Sequence, residues 1–186
     1  CVAANTMNGQ VNGILPALLL VIGIIIVVGL INGYFVANRK GDPFIVTLGT
    51  MTALQGIVLL YTHEQPVGSV PPPFRFLAAG FIGEIPFPVI VIGVIFIISQ
   101  IILRKTKFGR YVVSTGGNEE ASRLAGIPVI RIKIFAYIVS ALGAGLAGLF
   151  LAARMNVGEP LVGTNYTLDS VAAVVIGGTL ITGGAG

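Results

Sequence analysis

The sequence predicts an all-α fold, a polytopic bundle of transmembrane helices, from its composition and its apolar runs. Only 10% of the 186 residues are charged and 55% are hydrophobic, whereas a soluble domain carries roughly 25% charged residues. The mean hydropathy of +0.96 leaves little polar surface. The apolar residues also fall in long uncharged runs, close to the roughly 20 residues that cross a bilayer as a helix. Lipid is therefore the expected solvent for most of the chain.

The uncharged runs define the expected membrane spans. The clearest is residues 14–36, and the next is 43–61, which Gly49 and Gly56 interrupt, so that it crosses fully or forms a broken helix. The further spans are predicted at 87–103, at 134–153 and at 170–186, the last of them incomplete. We expect a single transmembrane domain over residues 1–186 that is truncated at both ends.

The charges between these runs predict an orientation. With alternating spans, Arg39, Lys40 and the 104–133 loop lie on one side, and only Arg75 and Arg154 among the basic residues lie on the other. Lys and Arg gather in the cytoplasmic loops of membrane proteins. The 104–133 loop is therefore expected in the cytoplasm.

Residues 116–128 of this loop are typical of a short helix with defined ends. Asn118 is a good N-cap, because its side-chain oxygen accepts from free backbone N–H groups, and Glu119 suits the positive end of the helix dipole. Gly126 allows the left-handed conformation at the other end, where Pro128 stops the helix.

A helix of about two turns is marginal in water and has to pack against something. Ala121, Leu124 and Ala125 give this helix a small apolar face. Such a face fits a groove on another protein, and the alternative is a helix that lies on the cytoplasmic membrane surface.

Other local patterns carry expectations too. The proline-rich stretch 62–86 is expected to be largely extended. In 134–153 small residues recur every four positions, a pattern that lets helices approach closely, so this helix is expected inside the bundle. Asp169 is expected to cap the last helix.

Neutral polar residues in the predicted spans are the candidates for a solute pathway, because polar side chains in a membrane usually face a cavity or a neighbouring helix. They suit a hydroxyl-rich neutral solute, although a Thr hydroxyl also bonds the backbone of its own helix. The candidates are Asn32, Thr47, Thr50, Thr52 and Gln55.

No pattern in the sequence indicates an enzyme or a metal site. No Gly-Lys pair of a phosphate-binding loop occurs, so any ATP hydrolysis is expected in a partner. Cys1 and His63 are the single Cys and the single His, which argues against a dedicated Cys/His metal site.

Three ordered stretches carry a resemblance to a known family. One is FGRY at 108–111 followed by GGNEEASRLAGI at 116–127, and the others are FIVTLGTMT at 44–52 and DSVAAVVIGGT at 169–179. Together they resemble the ribose-type permeases, which are membrane subunits of bacterial ABC importers for monosaccharides and related solutes. The similarity runs from about Asn32 to the end of the chain.

The resemblance implies that the short helix is a coupling helix, which docks in a groove on an ABC ATPase subunit and transmits its ATP-driven closure. It further implies a second permease copy, an extracytoplasmic solute-binding protein, and a location in the bacterial inner (plasma) membrane. ATP and Mg would be bound by the ATPase, with no cofactor in this chain and no nucleic acid partner. The motif residues carried over for coupling are Gly117, Asn118, Glu119, Ala121, Ala125 and Gly126.

The leading hypothesis from the sequence is a permease subunit of an ATP-driven importer for a monosaccharide such as ribose or a related small polar solute. A branched-chain amino acid ABC permease is the first alternative, because it shares a looser form of the loop. An ATP-independent channel or secondary transporter is the second, in which the 118–125 helix rests on the membrane.

Overall fold

The structure is a computed structural model that describes residues 1–164 and 166–178, and it is helical over most of its length. A 3-10 turn, Val11–Gly13, precedes α2, and strand β1 (Phe81–Ile82) pairs antiparallel with β2 (Ile85–Pro86). In chain order the α-helices are α1 (Val2–Met7), α2 (Ile14–Ala37), α3 (Pro43–Thr62), α4 (Pro72–Ala79), α5 (Phe87–Lys105), α6 (Lys107–Gly117), α7 (Glu119–Leu124), α8 (Val129–Met155) and α9 (Tyr166–Ile176).

Within the described residues, helices α2, α3, α5 and α8 are long and apolar enough to cross a membrane. Their mean hydropathy ranges from 1.7 for α3 to 3.2 for the segment that contains α2. Helix α3 runs unbroken through Gly49 and Gly56, because an isolated glycine lowers the stability of an α-helix only modestly. The predicted all-α transmembrane fold is confirmed.

Two helices begin before the residues at which the predicted spans start. Helix α8 starts at Val129 rather than at 134, since Pro128 ends the preceding turn and becomes the N-cap. Helix α9 starts at Tyr166 rather than at 170, so Asp169 lies in its first turn and does not cap it. Residues 179–186 of the predicted fifth span lie outside the described residues.

The segment 104–133 holds a second helix that the sequence reasoning missed. Helix α6 precedes α7, and the Thr106 hydroxyl caps it by accepting from the Gly109 N–H at 3.1 Å. A Cβ at position 109 would lie 2.2 Å from the Leu103 carbonyl oxygen. Gly109 therefore lets α6 fold back against the end of α5.

The proline-rich stretch 62–86 is less extended than predicted, because it contains α4. Pro72 and Pro73 occupy the first turn of α4, where the missing N–H has no partner to lose and the fixed φ suits a helix. The proline run thus starts a helix instead of preventing one.

Helices α2 and α8 run antiparallel and make the most extensive helix contact of the described residues. A Cβ at Gly33 would lie 2.8 Å from Ile134 Cα, and a Cβ at Gly29 would lie 2.8 Å from Ile138 Cα. Two glycines one helical turn apart therefore let the backbones approach closely, as is common between membrane helices.

The small residues of α8 only partly behave as predicted. Gly145 faces Ile25 of α2, but Ser140, Ala144 and Gly148 are exposed. In the described part of the chain, α8 is thus partly buried along one face and not surrounded by a bundle. The close contact depends on Gly145 of α8 and also on two glycines of α2, Gly29 and Gly33, which the sequence pattern did not single out.

The main buried cluster lies at the end of the bundle opposite α7. We call this the capped end, and its cap consists of α1, residues 67–71 and α4. Val67 and Gly158 exchange backbone hydrogen bonds of 3.1 and 3.0 Å, and the Ser69 N–H donates to the Ala4 carbonyl at 3.2 Å. The buried residues of the cluster are Ala3, Ala4, Met7, Ala17, Val70, Phe74 and Ala153.

We expect Gly33→Ala to lower the thermal stability of the protein, because the new methyl group meets the backbone of Ile134 and pushes α2 from α8. Overpacking of this kind costs about 1–3 kcal/mol. Gly23→Ala is the matched control in the same helix, since nothing lies within 4 Å of a Cβ there. The melting temperature is measured in detergent, from the loss of the gel-filtration peak after samples are heated. Equal melting temperatures for the two variants would contradict the assigned packing.

Candidate functional site

The residues predicted for coupling lie together at the end of the bundle opposite the cap. We call this the charged end, and it consists of residues 38–42 and 106–133. Lys40 of the α2–α3 turn lines a cavity of 380 Å³ together with Glu119, Arg123 and Lys133. Both basic segments that the charge pattern places on one side of the membrane therefore meet at one end of the structure.

Asn118 begins α7 in the way the sequence predicts. Its backbone is extended, with φ −155° and ψ 104°, and its Oδ1 accepts from the Ala121 N–H at 2.9 Å. Glu119 and Glu120 occupy the first turn, where negative charge is favourable. The N-cap prediction for Asn118 is confirmed.

Gly126 ends α7 in the left-handed conformation, with φ +78°. Its N–H donates to the Arg123 carbonyl at 3.0 Å, and the Ile127 N–H donates to the Ser122 carbonyl at 3.0 Å. These two bonds form a Schellman motif, which satisfies the last carbonyls of a helix. Gly117 has no such requirement for glycine. It lies at the end of α6, and a Cβ at this position would have no atom within 4 Å.

Helix α7 has one anchored side and one free side. Ser122 is only 2% exposed, and its hydroxyl oxygen lies 3.0 Å from the Ser114 hydroxyl of α6. Leu124 is 83% exposed, and Ala121 and Ala125 are exposed beside it. The apolar face predicted from the sequence therefore points away from the described chain.

An ion pair joins α7 to α8. Lys133 Nζ lies 2.5 Å from Glu119 Oε2, and no other ion pair forms within 4.0 Å among residues 1–164 and 166–178. The hydrogen bond from Lys133 lowers the pKa of the Glu119 carboxyl, whereas partial burial raises it, and the charges of Lys133, Arg123 and Lys40 lower it further. Glu119 is consequently ionised at neutral pH.

Of the predicted solute residues, the structure connects Asn32 of α2 with Thr50 of α3. The Thr50 hydroxyl donates to Asn32 Oδ1 at 2.6 Å and lies 3.0 Å from the Val46 carbonyl. Thr47 donates to the Pro43 carbonyl at 2.8 Å. The first contact links two helices, and the others bond within α3.

The predicted solute residues do not share a single face. Thr47, Thr50 and Gln55 are partly buried on α3, whereas Thr52 is exposed and lies roughly 160° around the helix from Thr50. The Thr52 hydroxyl donates to the Leu48 carbonyl at 3.0 Å. Thr52 is thus turned away from Thr47 and Thr50, whereas Gln55 lies roughly 60° around the helix from Thr52 and about 140° from Thr50.

A second cavity, of 350 Å³, lies near the capped end between α2, α8 and residues 157–163. Its lining is mostly apolar, and none of the predicted solute residues lines it or the cavity at the charged end. In the described residues no group of three or more His, Cys, Asp or Glu could hold a metal ion.

Sequence reasoning missed two contacts at the charged end. Asp42 caps α3, since its Oδ1 accepts from the N–H groups of Phe44 and Ile45 at 2.9 and 3.1 Å. The sequence carries a signal for this cap, because Asp42 is followed by Pro43 and an apolar run, a pattern typical of a helix start. The Glu119–Lys133 pair had no local signal, because the partners lie 14 positions apart.

Comparison with known proteins decides the family. The sequence profile of the branched-chain amino acid transport system / permease component family matches residues 1–185. The chain belongs to this permease family. Family membership and the four apolar helices confirm the predicted multi-pass inner-membrane localisation.

The curated relatives of this chain include permease proteins that are named for sugars. The ribose import permease protein RbsC of Haemophilus influenzae is 39% identical over 175 residues, which cover 90% of this chain and 54% of the relative. RbsC of Bacillus subtilis is 41% identical over 157 residues, with coverages of 83% and 49%. The L-arabinose transport system permease protein AraH of Escherichia coli is 38% identical over 156 residues, with coverages of 84% and 48%.

The chain spans about half the length of the curated relatives it matches. No solved structure matches it. The resemblance to ribose-type permeases, stated above from three motifs, is confirmed by these relatives.

Replacing Asn118 by Ala is expected to loosen α7, because the Ala121 N–H loses its acceptor. Loss of an N-cap costs about 1 kcal/mol, or roughly a fivefold rise in local opening. The measurement is amide hydrogen exchange of peptides that cover residues 119–127. Asn118→Asp keeps the acceptor and should exchange like the wild type. Equal exchange in the Ala and Asp variants would show that the cap does not hold the helix.

Proposed function

We propose that the chain forms part of the permease of an ATP-driven importer for a monosaccharide such as ribose or a related small polar solute. Helix α7 is the observation that carries the proposal. It is capped at both ends and anchored through Ser122, and it exposes 83% of Leu124 at the charged end. An exposed apolar face on a firmly held short helix is suited to dock in a groove on a partner.

In this proposal the partner is a separate ABC ATPase, which binds ATP and Mg and hydrolyses the ATP. Asn118 and Gly126 fix the ends of the coupling helix, while Ala121 and Ala125 flank Leu124 on the docking face. Glu119 orients the helix through Lys133. Gly117 leaves room for close approach of the ATPase, since its surroundings are open.

The charged end is cytoplasmic in this proposal, as the distribution of Lys and Arg favours. The capped end then faces outward, where an extracytoplasmic solute-binding protein would deliver the solute. A second permease copy would complete the pathway in this proposal.

A sugar-like solute is favoured over an amino acid for two reasons. The relatives are named for ribose and L-arabinose, although the family description names branched-chain amino acids. Helices α2 and α3 also contain no charged residue. An amino acid carries two charges that need compensation in a membrane, whereas Asn32, Thr47, Thr50 and Gln55 suit hydroxyl groups, with Thr52 the least favoured of the candidates.

Leu124→Arg and Ala125→Arg are expected to abolish co-purification of the ATPase with the whole permease in mild detergent. A charged side chain in the middle of an apolar docking face is desolvated without a partner. Val113→Arg is the control, since Val113 is also exposed, at 57%, but belongs to α6.

Two results would count against this proposal. Retention of the ATPase by both α7 variants would remove α7 from the interface. Absence of an ATPase from the wild-type preparation, under conditions that preserve other transporter complexes, would favour an ATP-independent channel or secondary transporter.

Thr50→Val is expected to lower solute uptake about tenfold at limiting concentration, the effect of losing one polar contact of about 1.4 kcal/mol. Thr52→Val is the matched control, because its hydroxyl bonds only its own helix on the exposed side. Uptake of labelled ribose, arabinose and leucine is measured in cells. Normal uptake by Thr50→Val, or an equal loss in both variants, would contradict a solute role specific to the Asn32–Thr50 pair, and uptake of leucine alone would favour the amino acid branch.

A further inference from the structure

We infer that the Glu119–Lys133 ion pair transmits a displacement of α7 to the membrane helices and, through them, to Asn32 and Thr50. The inference rests on the proposed function, in which α7 receives the movement of an ATPase. It assigns to this pair a positioning role that is separate from docking.

The first step is the attachment of α7. Within the part of the chain that the structure describes, two polar side-chain contacts join α7 to other helices, and residues 125–128 connect it to α8 along the chain. The Ser122–Ser114 contact of 3.0 Å reaches α6 at the charged end. The Glu119–Lys133 pair of 2.5 Å reaches α8, which is long enough to cross the membrane. Among the described residues, the ion pair is therefore the polar side-chain link from α7 to a spanning helix.

The second step leads from α8 to α2. Lys133 adjoins Ile134, and the backbone of Ile134 lies against Gly33 of α2, where a Cβ would be only 2.8 Å from Ile134 Cα. Packed cores move as units and deform little. A shift of Lys133 is consequently passed to α2 at one of the close backbone contacts between the two helices.

The third step leads from α2 to α3. Asn32 adjoins Gly33 and accepts a 2.6 Å hydrogen bond from Thr50. The route from the docking face to the candidate solute residues thus consists of an ion pair, a backbone contact and a hydrogen bond. Spatial continuity alone does not establish coupling, so the test has to measure it.

The setting of the ion pair makes such a test possible. The Glu119 and Lys133 side chains are 45% and 29% exposed, and pairs this accessible to water contribute little to folding. Their disruption should leave the protein folded. Lys40 and Arg123 also lie near Glu119 and could replace a neutralised Lys133, so charge reversal is a sharper probe than removal.

The experiment uses the whole permease with its ATPase, reconstituted in liposomes and supplied with its binding protein. ATP hydrolysis and uptake of labelled ribose are measured together for Glu119→Lys, for Lys133→Glu and for the double reversal. We expect each single reversal to keep the ATPase bound and hydrolysing while ribose transported per ATP falls about fivefold or more. The double reversal restores the ratio to within about twofold, because the pair forms again with opposite polarity.

Glu120→Lys is the matched control, since Glu120 is the adjacent carboxylate of α7 and forms no ion pair within 4.0 Å among the described residues. It should leave the ratio unchanged. Normal ratios in both single reversals, or a double reversal as uncoupled as the singles, would overturn the inference and leave the importer proposal intact. Loss of the bound ATPase in Glu119→Lys would overturn it in favour of a docking role. Absence of the ATPase from the wild type would instead overturn the proposed function.

Discussion

The structure depends on the close approach of α2 and α8. In lipid the hydrophobic effect does not hold helices together, so contact between backbones has to be dense enough to compete with contact to acyl chains. Gly29 and Gly33 provide that density against Ile138 and Ile134. The other described spanning helices pack less extensively against one another, and α3 contacts α2 through fewer residues. The antiparallel pair is thus the frame to which the charged end and the cap are attached.

The two ends of this frame are built from different interactions. At the capped end, apolar side chains such as Met7 and Phe74 are buried, and backbone hydrogen bonds tie the chain segments together. At the charged end, α7 is held by capping, by one pair of hydroxyl groups and by one ion pair. These polar contacts fix the direction of a short helix with little burial, and they leave its apolar side free.

The membrane helices could be predicted from the sequence because each apolar run is nearly as long as the bilayer is thick. The ends of α7 could be predicted too, since Asn118 and Gly126 have local conformational preferences that act over a few residues. Helix α6 was missed, because its polar and glycine-containing sequence lacks an apolar run. Helix α8 begins before the predicted span, because Arg131 and Lys133, which look like loop residues, continue the helix beyond the apolar core.

What could not be predicted depends on tertiary contacts. Gly23 and Gly33 lie in the same helix and look alike in the sequence, yet only Gly33 meets the backbone of α8. Nothing in the local sequence around Glu119 or Lys133 identifies these two residues as partners. Asn32 and Thr50 were selected for their polarity, but only the structure shows that they bond each other while Thr52 bonds its own helix.

The paired hydrogen bonds between Val67 and Gly158 have a consequence for how the helices can move. They fasten the segment after α3 to the segment after α8, so these two helix ends cannot separate without breaking backbone bonds. Among the described residues, no backbone hydrogen bond of this kind joins the opposite ends of α3 and α8. Relative movement of these helices is therefore most restricted at the capped end, where the backbone bonds join the two chain segments.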